Sequence, residues 1–301
     1  MVFGEYIKIG QGMVYDFLPE TLERFVFEND VYELRLRADK QARANVKGFF
    51  IGVCAGGAPY ITSKNEIIAI VRACAENSLY AQNENLKRGY ITCKNGVRVG
   101  VAGECVCDGE KILTIKNFGS VCIRFAREVI GCADKTYALT QEKGDKSIMV
   151  ISPPGVGKTT LIRDLARQIS QKKNKNVLVI DDKGEICADG FCMGDSCDAI
   201  KYCDKNFGFY SAIKTLSPDY VIADELITEK DACGAAFASL SGVKIICTVH
   251  GESYQKIRKK SYLKPLFDCG AFDYFVTLKK VNEGFGICEF INDKGEFLCL
   301  N

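Results

Sequence analysis

From residue 147 onward, short unbroken apolar runs alternate with longer stretches in which apolar residues recur every three or four positions. SIMVIS (147–152), NVLVID (176–181), DYVIADE (219–225) and VKIICTVH (243–250) are the apolar runs. Runs of this kind predict strands covered on both faces, as in a parallel sheet between helical layers. Between them, TTLIRDLARQISQ (159–171) sets Leu161, Ile162, Leu165 and Ile169 at helical spacing, and Ser211, Ala212, Ile213 and Leu216 mark another helical segment. The order predicts an open α/β sheet.

The first part of the chain has a different rhythm. YELRLRA (32–38), VKGFFIGVC (46–54), GYITC (89–93), VRVGVAGE (97–104), ILTIKN (112–117) and VCIRFA (121–126) read as strands, with turns at Lys94-Asn95-Gly96 and Cys107-Asp108-Gly109. SKNEIIAIVRACAEN (63–77) reads as a helix, with Ser63 as its N-cap and Glu66 three residues on. This is the pattern of a smaller α+β domain. Turn and polar residues between Arg127 and Asp145 place the boundary there, giving domains over 1–130 and 131–301.

Composition narrows the function. The chain of 301 residues is 47% hydrophobic and 26% charged, which excludes disorder as its main state. Forty basic against 38 acidic residues argue against a general polyanion binder but leave room for a local patch. No apolar run reaches the roughly 18 residues of a membrane-spanning helix. The first residues lack the pattern of a secretory signal, so the chain is expected to stay where it is made. The 16 cysteines then read as reduced thiols. Cys187, Cys192, Cys197 and Cys203 cluster without a C-x-x-C pair, against a zinc site. The basic run Lys256, Arg258, Lys259 and Lys260 reads as a solvated helix face, with anionic lipid or a partner as the alternative.

The chemistry is most specific at Ser152-Pro153-Pro154-Gly155-Val156-Gly157-Lys158-Thr159, which meets G-x-x-x-x-G-K-[ST] everywhere but its first position. An apolar strand precedes it and a helix follows. Pro153 and Pro154 have no N–H, so the phosphate-directed donors begin at Gly155. Pro154, Gly155, Val156, Gly157, Lys158, Thr159 and Thr160 are the candidate nucleotide contacts. Lys158 is placed to reach the β- and γ-phosphates of ATP, and the Thr159 hydroxyl to bind Mg²⁺. Asp224, at the end of a strand, is the candidate second Mg²⁺ ligand, and Glu225 the group that polarises water. Asp181 closes a second strand, with Glu185 following in the loop, and this strand end is a candidate for the same cleft. Thr248 and His250, two apart, share a face at the end of another.

These residues, with YELRLR, SLYAQNENLKRGYIT, NGVRVGVAGE and CIRFAREVIGCADK upstream, resemble the stage III sporulation protein AA family over nearly the whole chain. That family is similar to the ATPases of type II and type IV secretion and pilus machines. The resemblance implies a RecA-like P-loop core with a mainly parallel sheet after the α+β domain. It also implies a Mg-dependent ATPase that powers or assembles a mother-cell-to-forespore channel. Further implications are a homo-oligomer, specifically a hexameric ring, membrane channel proteins of the sporulation apparatus as partners, no nucleic acid, and a cytoplasmic place at the membrane's periphery. By position it gives catalytic roles to Lys158, Glu225, Glu185 in an acidic box, and His250 in a histidine box. Arg124, Arg127 and Arg98 fall where arginines of the N-terminal domain reach a nucleotide.

The chain departs from the family in three places. Ser152 stands for glycine. Asp182, Lys183 and Gly184 stand for the E-R-S of D-E-R-S-E-I, and Ser196 and Cys197 stand where an arginine is usual. The last departure bears on charge stabilisation by a neighbouring subunit. The rival readings are a nucleic-acid-handling RecA-like ATPase and a nucleotide-binding scaffold that does not hydrolyse.

Overall fold

In a computed structural model, residues 7–8, 15–29, 31–46, 48–76, 83–93, 97–125, 128–139, 144–188, 191–281 and 284–298 are described. The turn expected at Lys94-Asn95-Gly96 and the candidate Arg127 lie outside them. The chain forms two compact units: residues 9–127 with 188–190, and the remainder.

The second unit is built on a seven-stranded sheet. Its order is Cys197–Lys201, Val177–Asp181, Tyr220–Ala223, Lys244–His250, Ile148–Ser152, Tyr274–Val281, Gly284–Asn292. All neighbours are parallel except the last pair. Every residue of the strands Ile148–Ser152, Val177–Asp181 and Tyr220–Ala223 is buried, which is why they are continuous Val/Ile runs.

Alternation sends their side chains to two cores. Met149, Ile151, Leu178, Ile180, Val221 and Ala223 pack with Phe209, Ala232, Ala235 and Ala238. Ile148, Val150, Val177, Val179, Tyr220 and Ile222 pack with Leu161, Ile162, Leu165 and Ile169 of the helix Lys158–Lys173. Each of those four helix residues is wholly buried, worth about 1.5–3 kcal/mol apiece.

The first unit holds a six-stranded antiparallel sheet. Its order is Phe49–Gly52, Arg43–Val46, Val31–Arg37, Lys111–Arg124, Arg98–Asp108, Tyr90–Thr92. The helix Lys64–Cys74 starts at Ser63 with a complete capping box to Glu66 and buries Ile67, Ile70 and Val71.

Two strand readings change. The stretch 46–54 is not one strand but a hairpin turned at Gly48, whose φ of 96° suits glycine. The two strands expected at 112–117 and 121–126 form one, Lys111–Arg124, with Asn117 at φ 51° beside a register shift. Among the described residues no helix is long and apolar enough to cross a membrane. The described cysteines are free thiols, and among the described residues no group of three or more His, Cys, Asp or Glu could hold a metal.

Candidate active site

A parallel sheet brings the carboxyl ends of its strands to one edge, and the candidate residues of the second unit gather there. After Ser152, the loop turns through Gly155 (φ 72°) and Gly157 (φ 113°) before the helix starts at Lys158. No side chain caps this helix start, so its first N–H groups stay available to an anion. Val156 is buried in the core below the loop.

Lys158 is 7% exposed. Its ammonium donates to the carbonyls of Ser152 (3.1 Å) and Pro153 (3.3 Å) and to Ser152 Oγ (3.3 Å). Burial pushes its pKa down, against the pull of Asp224 and Glu225. Its Nζ also stands 2.8 Å from His250 Nδ1. His250 Nε2 meets a Glu225 carboxylate oxygen, and the Nε2–H tautomer satisfies both contacts.

Asp224 takes one hydroxyl on each oxygen. Thr159 Oγ1 donates to Oδ2 at 2.5 Å and Thr248 Oγ1 to Oδ1 at 2.5 Å. Thr248 in turn accepts the N–H of Glu225 at 2.8 Å. Glu225 sits at φ 49°, a left-handed conformation costly for a side chain of its kind. This turn aims its carboxylate between His250 and Lys183, whose Nζ is 2.5 Å from Oε2. Burial alone would raise the Glu225 pKa. The Lys183 hydrogen bond and charge, then His250 and Lys158, hold it below the ordinary range. Burial likewise opposes the Lys183 charge, but Glu225 keeps its pKa above the usual lysine value.

In the acidic box, Asp181 holds the main chain of the loop that carries Glu185. Asp181 is 1% exposed and accepts the N–H groups of Glu185 (2.9 Å), Ile186 (3.0 Å) and Cys187 (2.8 Å). It is the cap of the following loop rather than a group in the cleft. Burial raises its pKa despite those three donors. Asp182 pairs with the buried Lys205 at 2.5 Å. The main chain of Glu185 is fixed from both sides, by Asp181 at its N–H and by the buried Arg163 guanidinium at its carbonyl. Arg163 also donates to Ile186 O at 2.8 Å, tying the loop to the helix that opens with Lys158.

Lys158, Thr159, Asp224, Glu225 and His250 therefore converge. Pro154, Gly155 and Gly157 line the loop that leads to them, and the half-buried Thr160 lies in the helix's first turn. Arg124 and Arg98 belong to the first unit, where Arg124 pairs with Glu33 at 3.3 Å and Arg98 stacks on Tyr90. Lys183 is the participant that residue patterns did not single out. It looks like a departure from D-E-R-S-E-I, and only the fold reveals its carboxylate. In the basic run at 256–260, Lys256, Arg258 and Lys259 are exposed. Lys256 pairs with Glu252, Arg258 lies over the Tyr254 and Phe267 rings, and Lys260 donates to His250 O.

The donor set fits a magnesium nucleotide. Mg²⁺ is commonly held by one or two protein oxygens, with phosphates and water completing the shell. The Thr159 hydroxyl gives its proton to Asp224 and so keeps its lone pairs for a cation. The glycine turn and the uncapped helix start suit phosphate oxygens.

The fold is that of secretion and pilus ATPases. The chain is similar to the Legionella pneumophila ATPase DotB, with a TM-score of 0.63 and 14% identity over 96% of this chain and 85% of that one. It is similar to the pilus retraction motor PilT with bound ADP, with a TM-score of 0.65 and 15% identity over 94% and 84%. The family follows from the sequence. The model described as sporulation stage III, protein AA matches residues 13–298, and the chain belongs to that family. Stage III sporulation protein AA of Bacillus subtilis (strain 168) is 29% identical over 297 residues, 93% of this chain and 94% of that protein.

Proposed function

We propose that the chain is a Mg²⁺-dependent ATPase of the secretion type that serves a mother-cell-to-forespore channel. The observation that carries this is the convergence of Lys158, Thr159, Asp224, Glu225 and His250 at the carboxyl ends of parallel strands. Bound magnesium neutralises charge on the phosphate oxygens. Thr159 and Asp224 hold it, and the loop from Pro154 to Thr160 cradles the phosphates. Lys158 leaves the carbonyls of Ser152 and Pro153 for the phosphate chain. Glu225, kept ionised by Lys183, orients the attacking water and takes its proton. His250 keeps Glu225 and Lys158 in register. Glu185, Arg124 and Arg127 act on the nucleotide as the family resemblance implies, within a homo-oligomer attached to membrane channel proteins from the cytoplasmic side.

The test is phosphate release from Mg-ATP across a range of chain concentrations. Turnover per chain that rises with concentration, and that Lys158→Ala and Glu225→Gln abolish, supports a site completed by a neighbouring copy. ATP bound but never turned over would leave only a scaffold. Stimulation by DNA would favour nucleic-acid handling, and failure to bind ATP would remove the reading altogether.

A further inference from the structure

Lys260 is a cation at the edge of the parallel sheet that the proposed chemistry leaves unused. It closes the basic run after His250 and is placed unlike the exposed members of that run, being half-buried. Its main chain is fixed from both sides. Its N–H donates to Ile257 O at 3.0 Å, its carbonyl accepts the N–H of Leu263 at 3.1 Å, and both of those side chains are wholly buried. An extended backbone at Lys260 (φ −79°, ψ 115°) then leads into the short helix Ser261–Leu263. The core, rather than a loose loop, sets where this side chain starts.

It ends among the groups of the nucleotide site. Lys260 Nζ donates to the carbonyl of His250 at 2.5 Å. His250 is the register partner of Ser152, whose own carbonyl holds Lys158 at 3.1 Å. The two ammoniums thus rest on paired residues at the ends of neighbouring strands, which lie about 4.8 Å apart. Burial first, and then the charges of Lys183 and Lys260, push the Lys158 pKa down against Asp224 and Glu225. The Tyr262 ring lies 5.6 Å from Lys260 Nζ, and burial first and then the Glu225 carboxylate raise the Tyr262 pKa. Lys158, Glu225 and Lys260 share one field, in which three lysines face two carboxylates.

What separates Lys260 from Lys183 is the partner it lacks. Lys183 has Glu225. Among the described residues Lys260 has a carbonyl and an aromatic ring, and no carboxylate. A dipole and a ring face offset only part of the hydration that a half-buried ammonium gives up, and Lys158 repels it. An incoming anion removes both penalties.

We infer that Lys260 neutralises the γ-phosphoryl group of bound ATP as its bond to the β-phosphate breaks. The ammonium exchanges the neutral His250 carbonyl for a γ-phosphate oxygen, a stronger, charge-assisted contact. Water attacks the γ-phosphorus, the bond from that phosphorus to the bridging oxygen breaks with its electron pair going to ADP, and the water's proton goes to Glu225. Lys260 makes no covalent bond and meets the charge that develops on the oxygens in flight. It supplies from within the second unit a charge that Ser196 and Cys197, standing where an arginine is usual, do not. The inference rests on the proposed ATPase reading and adds a residue that neither the loop motif nor the family resemblance assigns.

The test compares the full chain with Lys260→Met, which keeps the side chain's length without its charge, and Lys260→Arg, which keeps the charge. Lys260→Met should lower phosphate release about 10²-fold and leave ADP affinity unchanged. Affinity for ADP with magnesium and aluminium fluoride, a mimic of the γ-phosphoryl in transfer, should fall by a similar factor. Lys260→Arg should retain both. The melting temperature of the nucleotide-free Lys260→Met chain should not fall, because the repulsion from Lys158 goes with the charge. Unchanged release in Lys260→Met, in a chain whose turnover Lys158→Ala abolishes, overturns the inference and leaves the ATPase reading standing. Loss of ADP binding along with the aluminium fluoride complex, or a lowered melting temperature, overturns it too, since the lysine then only shapes the fold. So does a Lys260→Arg variant as slow as Lys260→Met. An unaltered chain that neither turns over Mg-ATP nor binds the aluminium fluoride complex removes the ATPase reading and this inference with it.

Discussion

The two sheets of this chain are built from similar numbers of strands and place their charges in opposite ways. The parallel sheet of the second unit buries both faces, so its polar side chains collect at one edge, where the strands end. There the charges have polar partners within hydrogen-bond distance: Lys183 with Glu225, Asp182 with Lys205, Asp224 with two hydroxyls. The antiparallel sheet of the first unit buries one face and keeps the other for polar residues. On that face Arg35 stands opposite Arg43 and Arg98 opposite Arg124, with Glu33 shared by Arg35 and Arg124. A parallel sheet offers an edge at which a few groups can be set at fixed angles. An open antiparallel face offers an area over which charge can be spread. The first suits chemistry on a small ligand, the second contact with something broad.

The sharpest way to break this contrast lies at the edge of the parallel sheet. Glu225→Gln keeps the side-chain volume and the strained backbone but removes the base, and phosphate release should fall about 10²–10⁴-fold. Unchanged release would deny Glu225 its role and leave the edge without its chemistry.

Next in size is stability. Leu165→Ala empties a buried position under the parallel sheet and should cost about 2–5 kcal/mol in denaturant unfolding. A cost below ~1 kcal/mol would mean that this core is less tightly packed than its burial indicates.

The third concerns pH. Glu225 has its pKa lowered in the folded chain, so its contribution to stability is present above the unfolded value and is lost as pH falls through the folded one. Lys183→Met removes the leading cause of that lowering. The acid limb of the pH–rate profile should then move to higher pH, and Lys183→Arg should return it. An acid limb that stays in place would detach Lys183 from Glu225.

The smallest effect belongs to the antiparallel face. Arg124→Gln relieves the opposition to Arg98 and loses only an exposed pair, so unfolding should change by less than ~0.5 kcal/mol. Phosphate release should fall in that variant at unchanged stability, and unchanged release would take Arg124 out of the proposed nucleotide chemistry.

Residue patterns made the parallel strands legible, because burial on both faces leaves no option but continuous Val and Ile. They made the phosphate loop legible, because glycine spacing, lysine and threonine all follow from one ligand. They failed where a contact joins distant segments. Nothing local marks Lys183 as the partner of Glu225, since the two meet only when neighbouring strands end side by side. Asp181 looked like a cleft residue because strand-end acids often are. Its three backbone bonds depend on the path of the loop after it, which residue types alone do not fix. The arginine face was hidden by the arithmetic of the whole chain, in which +2 conceals an uneven distribution. It emerges only when register sets Arg35 beside Arg43 and Arg98 beside Arg124.

Ser152 carries a lesson for how such chains are searched for. It ends its strand wholly buried, with its hydroxyl on Pro153 O at 2.8 Å and its own oxygens accepting from Lys158. The first position of the loop motif is thus a matter of fit beneath the lysine, while the turn itself is made by Gly155 and Gly157. A pattern that demands glycine at the first position filters on side-chain volume and would pass over this chain. One that accepts any small residue there, and keeps the later G-K-[ST], would retrieve it.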